Sequence, residues 1–418
     1  MILKHELLKI FKTPVIIVLL LFFMIVNLFI IMSNFYYKDE MAVLTDLVDQ
    51  YGHQVDEEML HQFEDNYKEK VMWMNQIVPV NGKVYDHPSA LLSDNSVSLN
   101  QELSNHQLRE LQEFYVVEQY YRTSKNLDER YQNIQVNNQA EKVIHTYGFH
   151  GNAAETVRNQ YEKIGERLAE IVENEEHRHL FFMGSLYEMH SFLFKDMGRA
   201  IIFELIILVV LITAFMMNYE FEQRTHLITY TSKTGRKLIK NKVVAAIIAN
   251  MSVMAILIGV TLICYFFVYD YSGLWNVPIS SYFNTESNFP YISWWNLSFI
   301  EYLGLFVVCI VLAQLLFMIL TVVLSIFIKN SYIVFFIFAI ILGIGIWMPS
   351  IISLDQNMIF AIHFTPFTLI LNPHIWFMGN GAFTFFAYYE LVTVGVWIVI
   401  LGIFMSLSTY FFKRQSLQ

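Results

Sequence analysis

Charge is scarce in this 418-residue sequence: 15% of residues are Asp, Glu, Lys or Arg, against 55% apolar ones. That balance excludes a soluble enzyme of ordinary composition. Cysteine is scarcer, with Cys264 and Cys309 the only two, both inside long apolar runs. The polar part must therefore fold without disulfides, a usage that, with abundant Phe, Ile, Asn and Lys, suggests a bacterial surface protein. No basic patch outside the chain ends could serve as a phosphate footprint, so nucleic acid is not an expected partner. A P-loop is missing too: Gly82-Lys83 is followed by Val84 and lacks the upstream glycine. There is no HExxH and no paired CxxC, which excludes the metalloprotease and zinc-ribbon readings.

What is present is unevenly spread. Residues 34–198 hold 14 Lys+Arg against 28 Asp+Glu, and the rest of the chain holds 13 against 9. An acidic, water-soluble block is thus inserted into a membrane protein. Six stretches are long and apolar enough to span a bilayer: 14–32, 200–217, 243–268, 299–328, 332–348 and 389–411. Pro14 to Met32 lacks a small-x-small cleavage site and reads as an uncleaved anchor. Lys4, Lys9 and Lys12, the six basic residues of 218–242, Lys329, and Lys413 with Arg414 all fall on one side of this topology. Loops 269–298 and 349–388 contain no Lys or Arg. The positive-inside rule then puts both termini in the cytoplasm and 34–198 outside. Met358–Met378 is apolar but interrupted by Pro366, Pro373, His363 and His374. Counting it as a span breaks the charge parity. The expectation for 349–388 is a broken, re-entrant or interfacial helical pair closed by Gly379-Asn380-Gly381, with a loosely packed loop as the plainer alternative.

The expected fold is all-α: six transmembrane helices with a helical extracellular domain between the first and second. In that domain Leu44, Val48, Tyr51 and Val55 recur at helical spacing, as do Ala154, Val157, Tyr161, Ile164, Leu168 and Ile171. Leu108, Leu111 and Tyr115 mark a helix between them, and the helix through Ile171 is expected to run on through Phe181 and Phe182. His177, His179 and His190 lie near several glutamates, but His177 and His179 would point apart on a helix, and a solvated charged face is the plainer reading. No metal site is expected.

Three carboxylates, Glu204, Glu301 and Glu390, lie near the outer ends of spans, where ionisable groups often mark pathways. They are candidates for an outer vestibule that attracts cationic or amphiphilic cargo; the alternative is that each merely reaches the headgroup zone. Asn27, Asn250 and Gln314 lie nearer mid-membrane, where interhelical hydrogen bonding is the default role, and Gln314 is kept as a path candidate.

The loop 218–242 is the most specific feature. It has an acidic start (Glu220, Glu222), then Thr225, an apolar stretch, a small polar turn and a basic return through Arg236 and Lys242. A loop that only fixes topology requires none of the acidic start. In this pattern the chain resembles the ABC-2 type permeases, membrane subunits of the type V ABC exporters. Glu220 or Glu222, Thr225, Leu227, Ser232, Arg236 and Lys242 fit the family's E-x-x-x-G-T and K-x-[VL] pattern, with Arg224 where the family commonly has Gly. The resemblance implies an ATPase-coupling segment at Glu220, Glu222, Thr225, Ser232, Arg236 and Lys242. Residues 2–12 agree with the family's cytoplasmic connecting helix: Leu3, Leu7, Ile10 and Phe11 form one face, opposite His5, Lys9 and Lys12. A broken helical pair before the last span is also a family feature. A large insertion after the first span is similar to that of permeases of sodium, bacitracin or lantibiotic efflux systems.

The expectation is therefore a non-enzymatic permease subunit in a bacterial cell membrane. It carries no cofactor of its own, with ATP and Mg on separate ATPase subunits, and it pairs with a second permease, like or unlike, amid membrane lipid. Its cargo would be an amphiphile such as a peptide antibiotic, a lipid or a drug. Two rivals are a membrane-anchored sensor and a gradient-driven transporter using Glu204.

Overall fold

A computed structural model of the chain describes residues 2–11, 13–78, 83–94, 99, 103–183, 188–231, 235, 238–286 and 289–414. The protein is an all-α polytopic membrane protein with six helices long and apolar enough to cross a bilayer. A short amphipathic helix, α1 (Ile2–Phe11), precedes the first span, α2 (Pro14–Ser33), whose Pro14 occupies the N-terminal position where a missing N–H costs nothing. Among the described residues seven helices of the inserted block follow: α3 (Tyr37–Tyr51), α4 (Glu57–Ile77), α5 (Pro88–Ser93), α6 (Asn105–Lys125), α7 (Leu127–Gln132), α8 (Val136–Tyr147) and α9 (Gly151–Glu173). The second span is α10 (Ser191–Glu222). After the short α11 (His226–Thr231) come the third span α12 (Leu238–Val268), a hairpin of β1 (Thr285–Glu286) and β2 (Phe289–Pro290), and the fourth span α13 (Phe299–Phe327). The fifth span, α14 (Ser331–Trp347), tightens into a 3-10 turn over Met348–Ile351. Two one-turn helices, α15 (Met358–Ala361) and α16 (Pro366–Leu369), lead to the sixth span α17 (Tyr389–Arg414).

With an even number of spans both chain ends lie on one side of the membrane, here called the terminal side; the inserted domain defines the domain side. The second span is the hub. In its most apolar 18 residues 78% are buried, against 22%, 17% and 22% in the first, fifth and sixth spans, which turn most of their apolar surface outward.

The second span begins nine residues before the expected start. Its first turns, Ser191–Met197, are a π-helix whose Phe192, Leu193, Phe194 and Met197 are buried, and the Lys195-Asp196 pair breaks the hydropathy run there. The inserted block accordingly ends before Ser191, short of residue 198. Within it, Ala154, Val157, Tyr161, Ile164, Leu168 and Ile171 are all buried on α9 as their spacing predicts. Two expectations fail. Val55 lies outside α3, because Gly52 at φ +81 ends that helix. The helix α9 ends at Glu173 and does not continue through Phe181 and Phe182. Glu175 turns into the left-handed region, and the chain then runs extended beside residues 53–55, with Leu180 N–H donating to His53 O at 2.6 Å.

The inserted block forms two lobes. Helices α3 to α6 share one continuous core with the membrane frame, through residues such as Leu44, Phe63, Leu111 and Phe114. Helices α8 and α9 instead pack on Ile292, Ile359, Phe360 and Phe385 from the domain-side loops. A buried Arg167 joins the second lobe to the frame: its guanidinium holds Glu176 at 2.7 Å and donates to Ser293 O at 2.9 Å.

Candidate functional site

At the terminal side four charges are taken out of water together. Glu220, near the end of the second span, accepts from Lys9 of α1 at 2.8 Å and from Lys242 of the third span. Lys9 also holds Glu6 at 2.7 Å, and Lys242 donates to Met216 O and Met217 O at 2.8 and 3.1 Å. Glu6, Glu220 and Lys242 are each at most 4% exposed. Burial alone lowers the pKa of Lys9, but its hydrogen bonds to Glu220 and Glu6 outweigh this and raise it. Two carboxylates and two ammonium groups make a neutral cluster, the arrangement in which buried charge is tolerated. Lys9 therefore does not stand on an outer, solvated face of α1, as the amphipathic pattern predicts; it points inward and pins α1 to the second and third spans.

The loop after Glu220 is built by helix-end chemistry. Arg224 adopts φ +56 and Thr225 N–H returns to Glu220 O at 2.9 Å, the Schellman closure of a helix C-terminus. A left-handed residue there is what glycine accommodates most readily, so the Arg carries strain. Thr225 O then accepts from Thr229 N–H and opens α11. Glu222 reaches the fifth span, where its carboxylate caps the backbone N–H of Ser331 at 2.7 Å beside the Asn330 cap. Lys329 sits on the rings of Phe221 and Phe412, and burial, with Lys242 nearby, pushes it down to about 8. Ser232 and Arg236 lie outside the described residues.

Mid-membrane polar groups cross-link spans in pairs. Glu204 accepts from Asn27 at 2.8 Å, and the same amide donates to Thr261 at 3.1 Å, which ties the first three spans together. Asn250 donates to Thr213, and Gln314 to the Ile202 carbonyl. The vestibule of carboxylates is not assembled. Glu204 is buried well inside its helix because that helix starts earlier than expected. Glu301 closes a capping box with Ser298 at the exposed start of the fourth span, and Glu390 is buried and receives Phe377 N–H at 2.8 Å. No shared partner joins the three.

In residues 349–388 the expected broken pair is reduced to the one-turn helices α15 and α16 among turns, and the hydrogen bonds show what holds them. Irregular backbone at membrane depth needs protein donors and acceptors. His363 O accepts from Tyr389 OH, Phe364 O from Trp397 Nε1, Leu369 O from Trp376 Nε1, Leu371 O from Arg199 Nε, and His374 O from both His190 and Tyr302. Most of these donors come from the second, fourth and sixth spans. Gly198 permits the approach: a methyl group there would stand 2.7 Å from the Phe306 ring.

The histidines are likewise structural. His177 contacts Asp128 at 3.1 Å, His179 stacks on His53, and neither lies on a helix, so the opposed-face argument does not apply. Among the described residues no group of three or more His, Cys, Asp or Glu side chains gathers to hold a metal. Sequence reasoning missed Glu6, Arg199 and the two tryptophans, and weighed His190 only as part of a charged face with His177 and His179. Glu6 alone left a trace, as an acidic residue three before Lys9.

Compared with known proteins, the chain matches no family model, no curated sequence and no solved structure.

Proposed function

We propose that this chain is the permease subunit of an ATP-driven exporter of the ABC-2 type, moving an amphiphile across a bacterial cell membrane. The observation that carries the reading is the Glu6–Lys9–Glu220–Lys242 cluster. It joins the amphipathic helix, the root of the 218–242 loop and the third span, so a push on either surface element is delivered to two spans at once. The capping of the fifth span by Glu222 extends that linkage. In this reading ATP and Mg reside on separate ATPase subunits that dock on α1 and 218–242, and the chain pairs with a second permease to make the usual twelve spans. Its basic loops keep the terminal side in the cytoplasm, leaving the inserted domain outside.

The test is co-purification of the tagged chain with the ATPase encoded beside its gene. A complex whose ATP hydrolysis falls on Arg236→Ala, with the thermal transition of the permease unchanged, is the expected result. A folded wild-type chain that retains no ATPase across several candidates would sink the reading.

One observation favours a second reading: Glu204 is a buried carboxylate at the meeting of three spans, a suitable ionisable site for gradient-driven transport. A Glu204→Gln variant keeps a hydrogen-bond partner for Asn27 but cannot ionise. The permease reading expects ATP-dependent transport to survive it, whereas abolished transport in a well-folded Gln variant selects the gradient-driven one. Glu204→Leu removes one of the two acceptors of the Asn27 amide, leaving Thr261, and is expected to cost about 1 kcal/mol of stability, read as a lower thermal transition in detergent.

A further inference from the structure

A cavity of about 370 Å³ opens on the domain side where α8, α9, the start of the second span, the β-hairpin and residues 374–380 meet. That volume is within the range of small-molecule sites. Its wall mixes apolar surface from Val143, Tyr147, Phe289 and Ile375 with two cations, Lys142 of α8 and Lys195 of the π-helical first turns of the second span. Among the described residues neither lysine has an ion-pair partner. The one carboxylate in the wall, Glu286, is already engaged: it accepts from Ser191 N–H at 3.1 Å, from the Ser191 hydroxyl and from Tyr291 OH at 2.8 Å. His374 completes the polar wall. Its Nδ1 is buried without a hydrogen-bond partner, and burial, reinforced by His190, Lys195 and Arg199, pushes its pKa down to about 3, so the ring is neutral at ordinary pH. π-helical turns recur at functional sites, and here one presents Ser191 and Lys195 to the same space.

We propose that this cavity binds the anionic headgroup of an amphiphile, with Lys195 and Lys142 as its cationic contacts and the Tyr147–Phe289–Ile375 wall receiving the start of its apolar part. The charges in the wall set the sign: Lys142 and Lys195 stand against the single carboxylate of Glu286, which leaves one positive charge to neutralise. This reverses the sequence-based expectation of an acidic vestibule, since Glu204 and Glu390 are buried away from this mouth and Glu301 is a helix cap. The binding site stands on the cavity alone; that its ligand is the transported cargo rests on the permease reading.

The experiment uses the full chain in detergent micelles and native mass spectrometry with three additions: dioleoylphosphatidylglycerol, dioleoylphosphatidylcholine and inorganic phosphate. Tighter binding of the anionic lipid than of the zwitterionic one is expected. Lys195→Gln should weaken the anionic lipid about fivefold, the effect of one interfacial lysine, and leave the zwitterionic lipid unchanged. Lys195→Arg should restore binding. Lys142→Gln, on an exposed helix face where folding is not at stake, should weaken it in the same direction, and Lys240→Gln on the terminal side should do nothing. Equal affinity for both lipids, or no change in either Lys→Gln variant, overturns the proposal. Displacement of the lipid by phosphate overturns the amphiphile assignment in favour of a small-anion site. Lipid discrimination retained in a chain that binds no ATPase would sink the permease reading and leave the site standing.

Discussion

The two ends of the membrane frame solve one problem by different means. On the terminal side full charges are buried, and they are tolerated because Glu6, Lys9, Glu220 and Lys242 neutralise one another across three helices. On the domain side irregular backbone is buried, and its carbonyls are met one by one by Tyr, Trp, His and Arg donors. The first arrangement is a single coupled unit; the second is a row of separate contacts. Damage to the first should therefore be large and repairable in pairs, and damage to the second smaller and local. The largest effect expected is for Glu220→Ala, which strands the buried Lys242 without its carboxylate and leaves Lys9 with Glu6 alone. Breaking a buried pair by removing one partner costs about 3–5 kcal/mol. The thermal transition in detergent should drop accordingly, and the double variant Glu220→Gln, Lys242→Met should recover most of it. A single variant as stable as wild type would mean that water reaches the cluster and that it does not pin the helices.

Next in size is the domain side. Trp397→Phe removes one donor and leaves the partly buried Phe364 carbonyl without it, a loss of about 1 kcal/mol. Gly345→Ala puts a methyl group against the Phe367 ring and should cost about 1–3 kcal/mol by overpacking. The comparison makes these two losses independent of the Glu220 variant, so each combination with it should be additive. Non-additivity above about 0.5 kcal/mol would show instead that the two ends are mechanically linked through the second span.

The same contrast explains what could be read from the sequence. All six spans follow from runs of about 20 apolar residues, and charge parity correctly refuses a seventh at Met358–Met378. The α9 face follows from its spacing, because one side of that helix meets a core. Helix starts marked by a charged pair were lost, as at Lys195-Asp196, since a hydropathy window cannot know that Phe192 and Phe194 are buried beside them. The polar partners inside the frame were half legible. Glu220 and Lys242 were singled out, but for docking; their pairing to each other, to Lys9 and to Glu6 depends on the way three helices converge. The donors that hold residues 349–388 come from as far away as His190 and Arg199, and no local pattern in the sequence records such a contact.

The smallest effect separates the inserted domain from both ends. Glu40 of α3 has one carboxylate oxygen buried without a hydrogen-bond partner, and burial raises its pKa from the usual 4.5 to about 7. Its charged neighbours on α3 and α6, Asp39 and Arg109, pair with each other at 2.9 Å and leave it alone. A folded-state pKa above the unfolded one means that the contribution of Glu40 is fully present below about pH 4.5 and is lost as pH rises through 7. Wild type and Glu40→Gln should therefore have the same thermal transition at pH 4, and the variant should become the more stable of the two as pH passes 7. Because Glu40 is only partly buried the gap will be small, and it should appear in hydrogen exchange of α3 while leaving the spans unchanged. A gap of the same size at pH 4 and pH 8 would assign the effect to packing and remove the ionisation argument, while a gap that spread to the second span would show that the lobe of α3 to α6 shares its stability with the membrane frame as it shares its core.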